Sequence, residues 1–312
     1  MKEKPSISVV FPAYNEEGNV VELHRRILAA LTSIGEPFEI IAVAERASTD
    51  QTIAKLKTLS PLKLMVIGYK TGQSPALDAG ITEARGDVVV TIDADLQNDP
   101  QDIPRMYNKL KEGYDAVVGW RQNRHDTLGR RIFSGCANVV TRNMLGVYVH
   151  DYACALKMFK KKFIQGVRLY GEMHVFLVGI LHLRGARVVE MPVAHHERVH
   201  GLSKHNFIKG IKDFVDLLTV KFMLGTSRPL LVFFGVSVFF WTLACAGTIW
   251  AIVLKLMHLR NFAQTPLPII VSLFIIIGVM SLMMGFLSEL VLRVFYETRK
   301  ETPYVISEVS EQ

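Results

Sequence analysis

Two carboxylates one residue apart, Asp93 and Asp95, directly follow the apolar run Val88 to Ile92, in the stretch Asp93-Ala94-Asp95-Leu96-Gln97-Asn98-Asp99-Pro100. A hard cation such as Mg2+ or Mn2+ takes oxygen ligands and is commonly held by one or two carboxylates together with substrate phosphates. Asp93 and Asp95 suit the carboxylate part, a diphosphate-bearing donor the rest, and Gln97 offers a neutral oxygen. As a bare pattern Asp-x-Asp is common in solvated loops. Its place after a buried strand, where parallel sheets bind ligands, gives it weight. The turn Phe11-Pro12-Ala13-Tyr14-Asn15-Glu16-Glu17 follows another apolar run and leads into a helix, a setting that can hold a nucleotide.

These residues need a scaffold. β-Branched runs at Ile7 to Phe11, Glu39 to Ala44, Leu62 to Gly68, Val88 to Ile92 and Ala116 to Gly119 predict strands. Between them, Val20, Leu23, Ile27 and Leu31 recur at helical spacing after Asn19, and Pro100 with Asp102 opens a helix running towards Glu112. Such alternation predicts an α/β domain with a mostly parallel, Rossmann-like sheet covered on both faces.

Two later segments, Pro229 to Leu254 and Leu267 to Leu287, contain no charged residue, and each is long enough to cross a hydrocarbon core of about 30 Å as a helix. Buried helices of a soluble protein are the alternative, which runs this long make a poor fit. Between Ser203 and Phe222 the apolar residues Phe207, Ile208, Ile211, Phe214, Val215, Leu218 and Phe222 fall on one helical face, with Lys204, Lys209 and Lys212 elsewhere. That pattern fits either a helix lying on membrane lipids or one packed on the soluble domain; its position before the first span favours lipid. The expected organisation is a catalytic domain over residues 1–202, an amphipathic segment over 203–228, a two-helix anchor over 229–291 and a tail over 292–312.

The chain of 312 residues carries a formal charge of +7, which suits anionic partners. No nucleic-acid recognition module is recognisable, so phosphorylated substrates and lipid headgroups are the expected partners. Three unevenly placed cysteines, Cys136, Cys154 and Cys245, form no disulfide framework and fit a reducing compartment. The first residues lack the apolar length of a signal peptide, so the catalytic domain is expected in the cytoplasm, with the chain spanning the inner (cytoplasmic) membrane more than once. Flanking Lys221, Arg228, Arg293, Arg299 and Lys300 set against Lys255 and Arg260 in the linker are only mildly informative, and the expected topology rests mainly on the missing signal peptide.

Ser8-Val9-Val10-Phe11-Pro12-Ala13-Tyr14-Asn15-Glu16-Glu17, taken with Asp93 to Pro100, resembles family 2 glycosyltransferases of the GT-A fold. Gly72-Gln73 through Ala79-Gly80, Arg121 to Asp126, Asp151-Tyr152-Ala153-Cys154, and His195-His196-Glu197-Arg198 through Gly201-Leu202-Ser203-Lys204 match, in order, the branch of polyprenyl-phosphate glycosyltransferases that resemble dolichyl-phosphate mannose synthase. The resemblance covers nearly the whole chain. It implies inverting transfer of one sugar from a nucleotide sugar, most simply a UDP-sugar, to an undecaprenyl or dolichyl phosphate, with metal at Asp93, Asp95 and Gln97. It further implies donor contacts from Pro12, Tyr14, Asn15, Glu17, Glu45, Gly72, Gln73 and Asp93, and a homo-oligomer through the spans.

Asp95, Asp151, Arg121 and Arg124 are then the expected catalytic residues. Asp151 matches an acidic position beside the reacting phosphate, a candidate base. A phosphate monoester with a second pKa near about 6 is already an anionic nucleophile, however, so orientation of the acceptor is an alternative role, and a helix cap or salt-bridge partner a third. The guanidinium forks of Arg121, Arg124, Arg130 and Arg131 suit a donor diphosphate or an acceptor phosphate. For Arg130 and Arg131, plain surface is an equal reading. Arg198, Ser203 and Lys204 are candidates for the acceptor phosphate, with lipid headgroups competing. His195 and His196 are adjacent rather than convergent, which favours a structural or phosphate role over zinc.

One stretch departs from the family pattern. Members usually end the second strand with two aspartates and a glycine, and here the chain reads Glu45-Arg46-Ala47-Ser48-Thr49-Asp50. Either the base is read differently or donor binding is lost, which leaves a catalytically silent nucleotide-sugar-binding membrane protein as the second reading. A polysaccharide synthase is a weaker third, because Gln165 and Arg168 are followed by Leu169 instead of tryptophan.

Overall fold

The computed structural model describes residues 4–122, 139–196, 216–221, 229–258 and 265–299. Residues up to Gly225 form one compact unit and Thr226–Pro303 a second.

In the first unit, seven strands form one sheet. They are β1 (Ile7–Ala13), β2 (Phe38–Glu45), β3 (Lys63–Ile67), β4 (Val88–Thr91), β5 (Ala116–Trp120), β6 (Lys157–Lys160) and β7 (Val188–Pro192), and they lie in the order β3-β2-β1-β4-β6-β5-β7. All neighbours pair in parallel except at β6, which runs antiparallel to both β4 and β5. The mostly parallel sheet expected from the alternation of strand and helix is present. The sequence reading did not name β6 and β7 as strands.

Apolar residues bury on both faces of the sheet, as a strand period of two requires. Ile7, Val9 and Phe11 of β1 point towards the side packed by α1 (Val20–Ile34) and α4 (Ile103–Lys111). Val10, Ile41 and Val43 point to the other side, with α3 (Gln73–Glu83) and α5 (Leu177–Leu183). In α1 the predicted positions Val20, Leu23, Ile27 and Leu31 are all buried, and Asn19 is the N-cap. A short helix α2 (Thr52–Leu56) follows β2, and Asp99 caps the Pro100–Asp102 turn before α4 by accepting from the Gln101 N–H at 3.0 Å. Gly80 lets α3 approach the sheet closely, because a Cβ there would strike Val10 and stand 3.0 Å from Val43 Cγ2.

Of the amphipathic segment, residues 216–221 are described and helical. Leu217 and Val220 bury in the same cluster as α5, and Asp216 accepts the Glu172 N–H at 2.6 Å, while Leu218 is 41% exposed. Part of this segment therefore packs on the first unit.

The second unit is a pair of helices, α6 (Pro229–Leu256) and α7 (Leu267–Arg299), each long and apolar enough to cross a membrane. Only 11% of an 18-residue apolar window in each is buried, unlike a soluble core helix. Glycines form the seam between them. A Cβ at Gly278 would meet the Trp241 ring, one at Gly247 would come within 2.9 Å of Val271, and one at Gly285 within 2.8 Å of Phe233. Small residues at such a seam let helix backbones approach where water supplies no driving force.

Candidate functional site

The ends of β1 and β2, the start of α3 and the residues after β4 surround a cleft of about 240 Å³. Pro12, Tyr14, Glu16, Glu45, Lys70, Gly72, Gln73, Asp93 and Asp95 line it. The cleft lies at the carboxyl ends of parallel strands, where this architecture binds ligands.

Asp93 accepts a short hydrogen bond from Gln73 Nε2. Burial, reinforced by the nearby Asp95 charge, pushes its carboxyl up to about 7, against the pull of Lys157 and Arg121. Asp95 Oδ1 accepts the main-chain N–H of Gln97 at 3.1 Å, closing a tight local turn. Leu96 within that turn has φ of 59°, a region bulky residues rarely adopt, and is itself buried. Two neighbouring carboxylates on the wall of a cleft are chemically matched to a hard cation. Among the described residues no set of three or more His, Cys, Asp or Glu side chains converges to hold a metal, so further ligands would come from substrate or water.

A measurable pH dependence follows. Asp93 titrates near 4 when unfolded and about 7 when folded, so its contribution to stability is complete below the unfolded value and declines as pH rises through the folded one. In chelator, melting of the wild type between about pH 4 and 8 is expected to fall more steeply with pH than that of Asp93→Asn. Parallel curves would refute this reading of Asp93.

Arg121, directly after β5 and near enough for its charge to act on Asp93, grips Asp151 with two hydrogen bonds, Nε to Oδ2 at 2.6 Å and Nη2 to Oδ1 at 2.8 Å. Both side chains are buried, 14% and 4% exposed. Burial opposes the charged form of Arg121, but the Asp151 carboxylate outweighs it and the guanidinium pKa rises. The preceding Trp120 stacks on His150 with ring centroids 4.4 Å apart, and His150 Nδ1 lies 2.6 Å from Glu190 Oε2.

Of the expected donor residues, Pro12, Tyr14, Glu45, Gly72, Gln73 and Asp93 line the cleft. Asn15 and Glu17 sit beside it and hold the following turn. Asn15 Oδ1 accepts the Thr49 N–H at 2.8 Å, and Glu17 Oε2 the Gln51 N–H at 2.8 Å. Gln97 is also outside the lining, its carbonyl accepting the His196 N–H at 2.8 Å. His196 Nε2 reaches Asp99 Oδ2 at 3.2 Å, and His195 forms a β-bridge with Asn98. Arg124, Arg130, Arg131, Arg198, Ser203 and Lys204 lie outside the described residues.

Sequence reasoning missed Lys157 and Lys70. Lys157 is buried in β6, where desolvation lowers its pKa, and its Nζ donates to the His174 carbonyl at 3.3 Å. Its signal was available, since a lone lysine interrupts the apolar run Leu156 to Phe159. Lys70 stands with Nζ 4.5 Å from the centroid of the Tyr14 ring, a cation–π contact on the cleft wall.

The family model described as Glycosyl transferase family 2 matches residues 8–168. Dodecaprenyl-phosphate galacturonate synthase of Rhizobium johnstonii is 33% identical over 97% of this chain and 92% of that protein. Undecaprenyl-phosphate 4-deoxy-4-formamido-L-arabinose transferase of Edwardsiella ictaluri is likewise 33% identical, over 97% of this chain and 94% of that protein. Glucosyl-3-phosphoglycerate synthase from Mycobacterium tuberculosis, solved with Mn2+ and UDP-glucose, shares the fold at a TM-score of 0.53 and 18% identity, over 72% of this chain and 81% of that one. With its GT-A sheet, its carboxylate-lined cleft and a matching stretch that runs from β1 beyond β6, this chain belongs to glycosyltransferase family 2 and is a glycosyltransferase.

Proposed function

We propose that the protein transfers one sugar from a UDP-sugar to a polyprenyl phosphate, undecaprenyl or dolichyl, with inversion at the anomeric carbon and with the catalytic domain on the cytoplasmic side of the membrane. The observation that carries this reading is a cleft that joins Asp93 and Asp95 to the β1 and 70–73 turns, with the buried Arg121–Asp151 pair near enough for Arg121 to act on the Asp93 carboxyl. Two relatives aligned over 97% of the chain are named for a polyprenyl phosphate and a sugar, and α6 with α7 offers a membrane anchor suited to such an acceptor.

In this reaction an acceptor phosphate oxygen attacks the anomeric carbon as the bond to the donor diphosphate breaks, and the nucleoside diphosphate leaves with the electron pair. Mg2+ or Mn2+, when bound, neutralises charge developing on that diphosphate, and Asp93 and Asp95 are the residues to hold it, with Gln97 near by. Tyr14, Glu45, Gly72 and Gln73 bound the donor. Arg121, whose Nε and Nη2 are held by Asp151, presents its remaining N–H groups and its charge to phosphate oxygens, and Asp151 orients the guanidinium. The Asp151 carboxylate already accepts from Arg121 at both oxygens, which favours orientation over proton abstraction for an acceptor ionised near neutral pH. Arg124, Arg130, Arg198, Ser203 and Lys204 are the proposed further phosphate contacts.

The test is incubation of the detergent-purified full chain with undecaprenyl phosphate, Mg2+ or Mn2+ and a panel of nucleotide sugars, with mass spectrometry of the lipid fraction. One donor is expected to yield a lipid carrying a single sugar, with release of nucleoside diphosphate. Nucleotide binding without any product would indicate a silent binding protein instead, and a polymer would indicate a synthase.

A further inference from the structure

Glu45 departs from the family pattern, and its surroundings suggest why a longer acid stands there. It closes the last rung of the β2–β3 ladder, opposite Ile67, and is 3% exposed. From that point the chain runs out to Lys70 and returns over the end of β2 into α3. Glu45 Oε1 accepts three hydrogen bonds from this return, from Thr71 N at 2.9 Å, Thr71 Oγ1 at 3.0 Å and Gly72 N at 2.7 Å. Gly72 has φ 91° and ψ 177°, a backbone region essentially confined to glycine, so the turn adopts a conformation that its neighbours must hold. On either side of the held residues stand Lys70, over the Tyr14 ring, and Gln73, whose amide binds Asp93.

We infer that Glu45 is a positioning residue: its carboxylate latches the Thr71–Gly72 turn, and through that turn sets Lys70 against Tyr14 and Gln73 against Asp93 on the wall of the donor cleft. The latch explains the length of the side chain. Aspartate, shorter by one carbon–carbon bond of about 1.5 Å, would leave the turn beyond hydrogen-bonding distance from the same strand position. It also defines what the carboxylate does: it receives neutral N–H and O–H donors of the protein itself, a task that a glutamine carbonyl also performs.

The consequence for donor affinity rests on the donor-site reading above, so the test has two arms. In the first, hydrogen exchange over residues 70–73 of the full chain in detergent, without nucleotide, is expected to quicken at least tenfold in Glu45→Ala and Glu45→Asp and to return close to wild type in Glu45→Gln. In the second, UDP is titrated calorimetrically in the presence of Mn2+. Glu45→Ala and Glu45→Asp are expected to weaken binding about tenfold or more, and Glu45→Gln to recover most of that loss. Thr71→Val, a residue outside the cleft lining, is expected to weaken binding about threefold alone and to add nothing in the Glu45→Ala background, as two parts of one device behave. Exchange over 70–73 unchanged in Glu45→Ala, or additive effects of Thr71→Val and Glu45→Ala, would overturn the latch. Wild-type protein that binds no UDP, with the exchange pattern as expected, would overturn the donor reading and leave the latch standing.

Discussion

Asp95→Ala is expected to lower the rate of sugar transfer by about 10³-fold or more while leaving the first unit folded. Asp95 is 5% exposed and lines the same cleft as Asp93, whose carboxyl its charge helps to push up. Losing it removes one of the two carboxylates proposed to hold a cation. The fold should tolerate the change, because Asp95 opposes Asp93 electrostatically in the unliganded state, and relief of that repulsion offsets the lost hydrogen bond to Gln97. The measurement is initial-rate formation of glycolipid beside a thermal melt in chelator. Activity within tenfold of wild type, at any Mn2+ concentration, would remove Asp95 from the proposed machinery.

Asp151→Ala is expected to cost both stability and turnover, for a reason tied to its partner. Arg121 is buried, and with Asp151 gone its charge has lost the carboxylate that matches its fork. Breaking such a pair costs about 3–5 kcal/mol, whereas replacing both members by apolar residues is often neutral or stabilising. Asp151→Leu combined with Arg121→Met should therefore melt closer to the wild type than Asp151→Ala does, yet show no transfer. Arg121→Lys keeps the charge but loses the planar two-point grip, and a loss of at least about 100-fold in turnover is expected from it. If Asp151 were instead the base, Asp151→Asn would lose activity as completely as Asp151→Ala despite keeping its size and one acceptor oxygen. Under the orienting role Asp151→Asn should retain measurable transfer, which separates the two.

The parts of this molecule legible in the sequence are those governed by local periodicity. The spacing of Val20, Leu23, Ile27 and Leu31 states the buried face of α1 directly, and the apolar run before Asp93 places the carboxylates at a strand end. Uncharged length alone marks α6 and α7. The contact between Arg121 and Asp151 has no such signature, because thirty residues separate them and only the insertion of β6 between β4 and β5 brings their elements together. β6 itself escaped notice because it is four residues long and begins with a lysine. Glu45 was visible as an oddity, but its partners lie a turn beyond the next strand, and side-chain direction is not encoded in spacing. Asn15 and Glu17 show the same limit, since their motif places them at the site's edge without revealing that they face the 48–52 turn.

The antiparallel placement of β6 has a consequence for which parts of the chain tolerate change. Its first residue, Lys157, pairs with Thr91 on one side and Val118 on the other, so the chain that leaves β5 at Trp120 returns one strand away. The stretch from Arg121 to Leu156 is thus a detour between two neighbouring strands, which the sheet spaces about 4.8 Å apart. The cleft residues upstream, from Pro12 to Asp95, precede that detour entirely. A change within the described part of that stretch leaves the pocket's support intact only where it spares Leu145, Val147, Val149 and Tyr152, which bury in the core they share with Val10 and Val43.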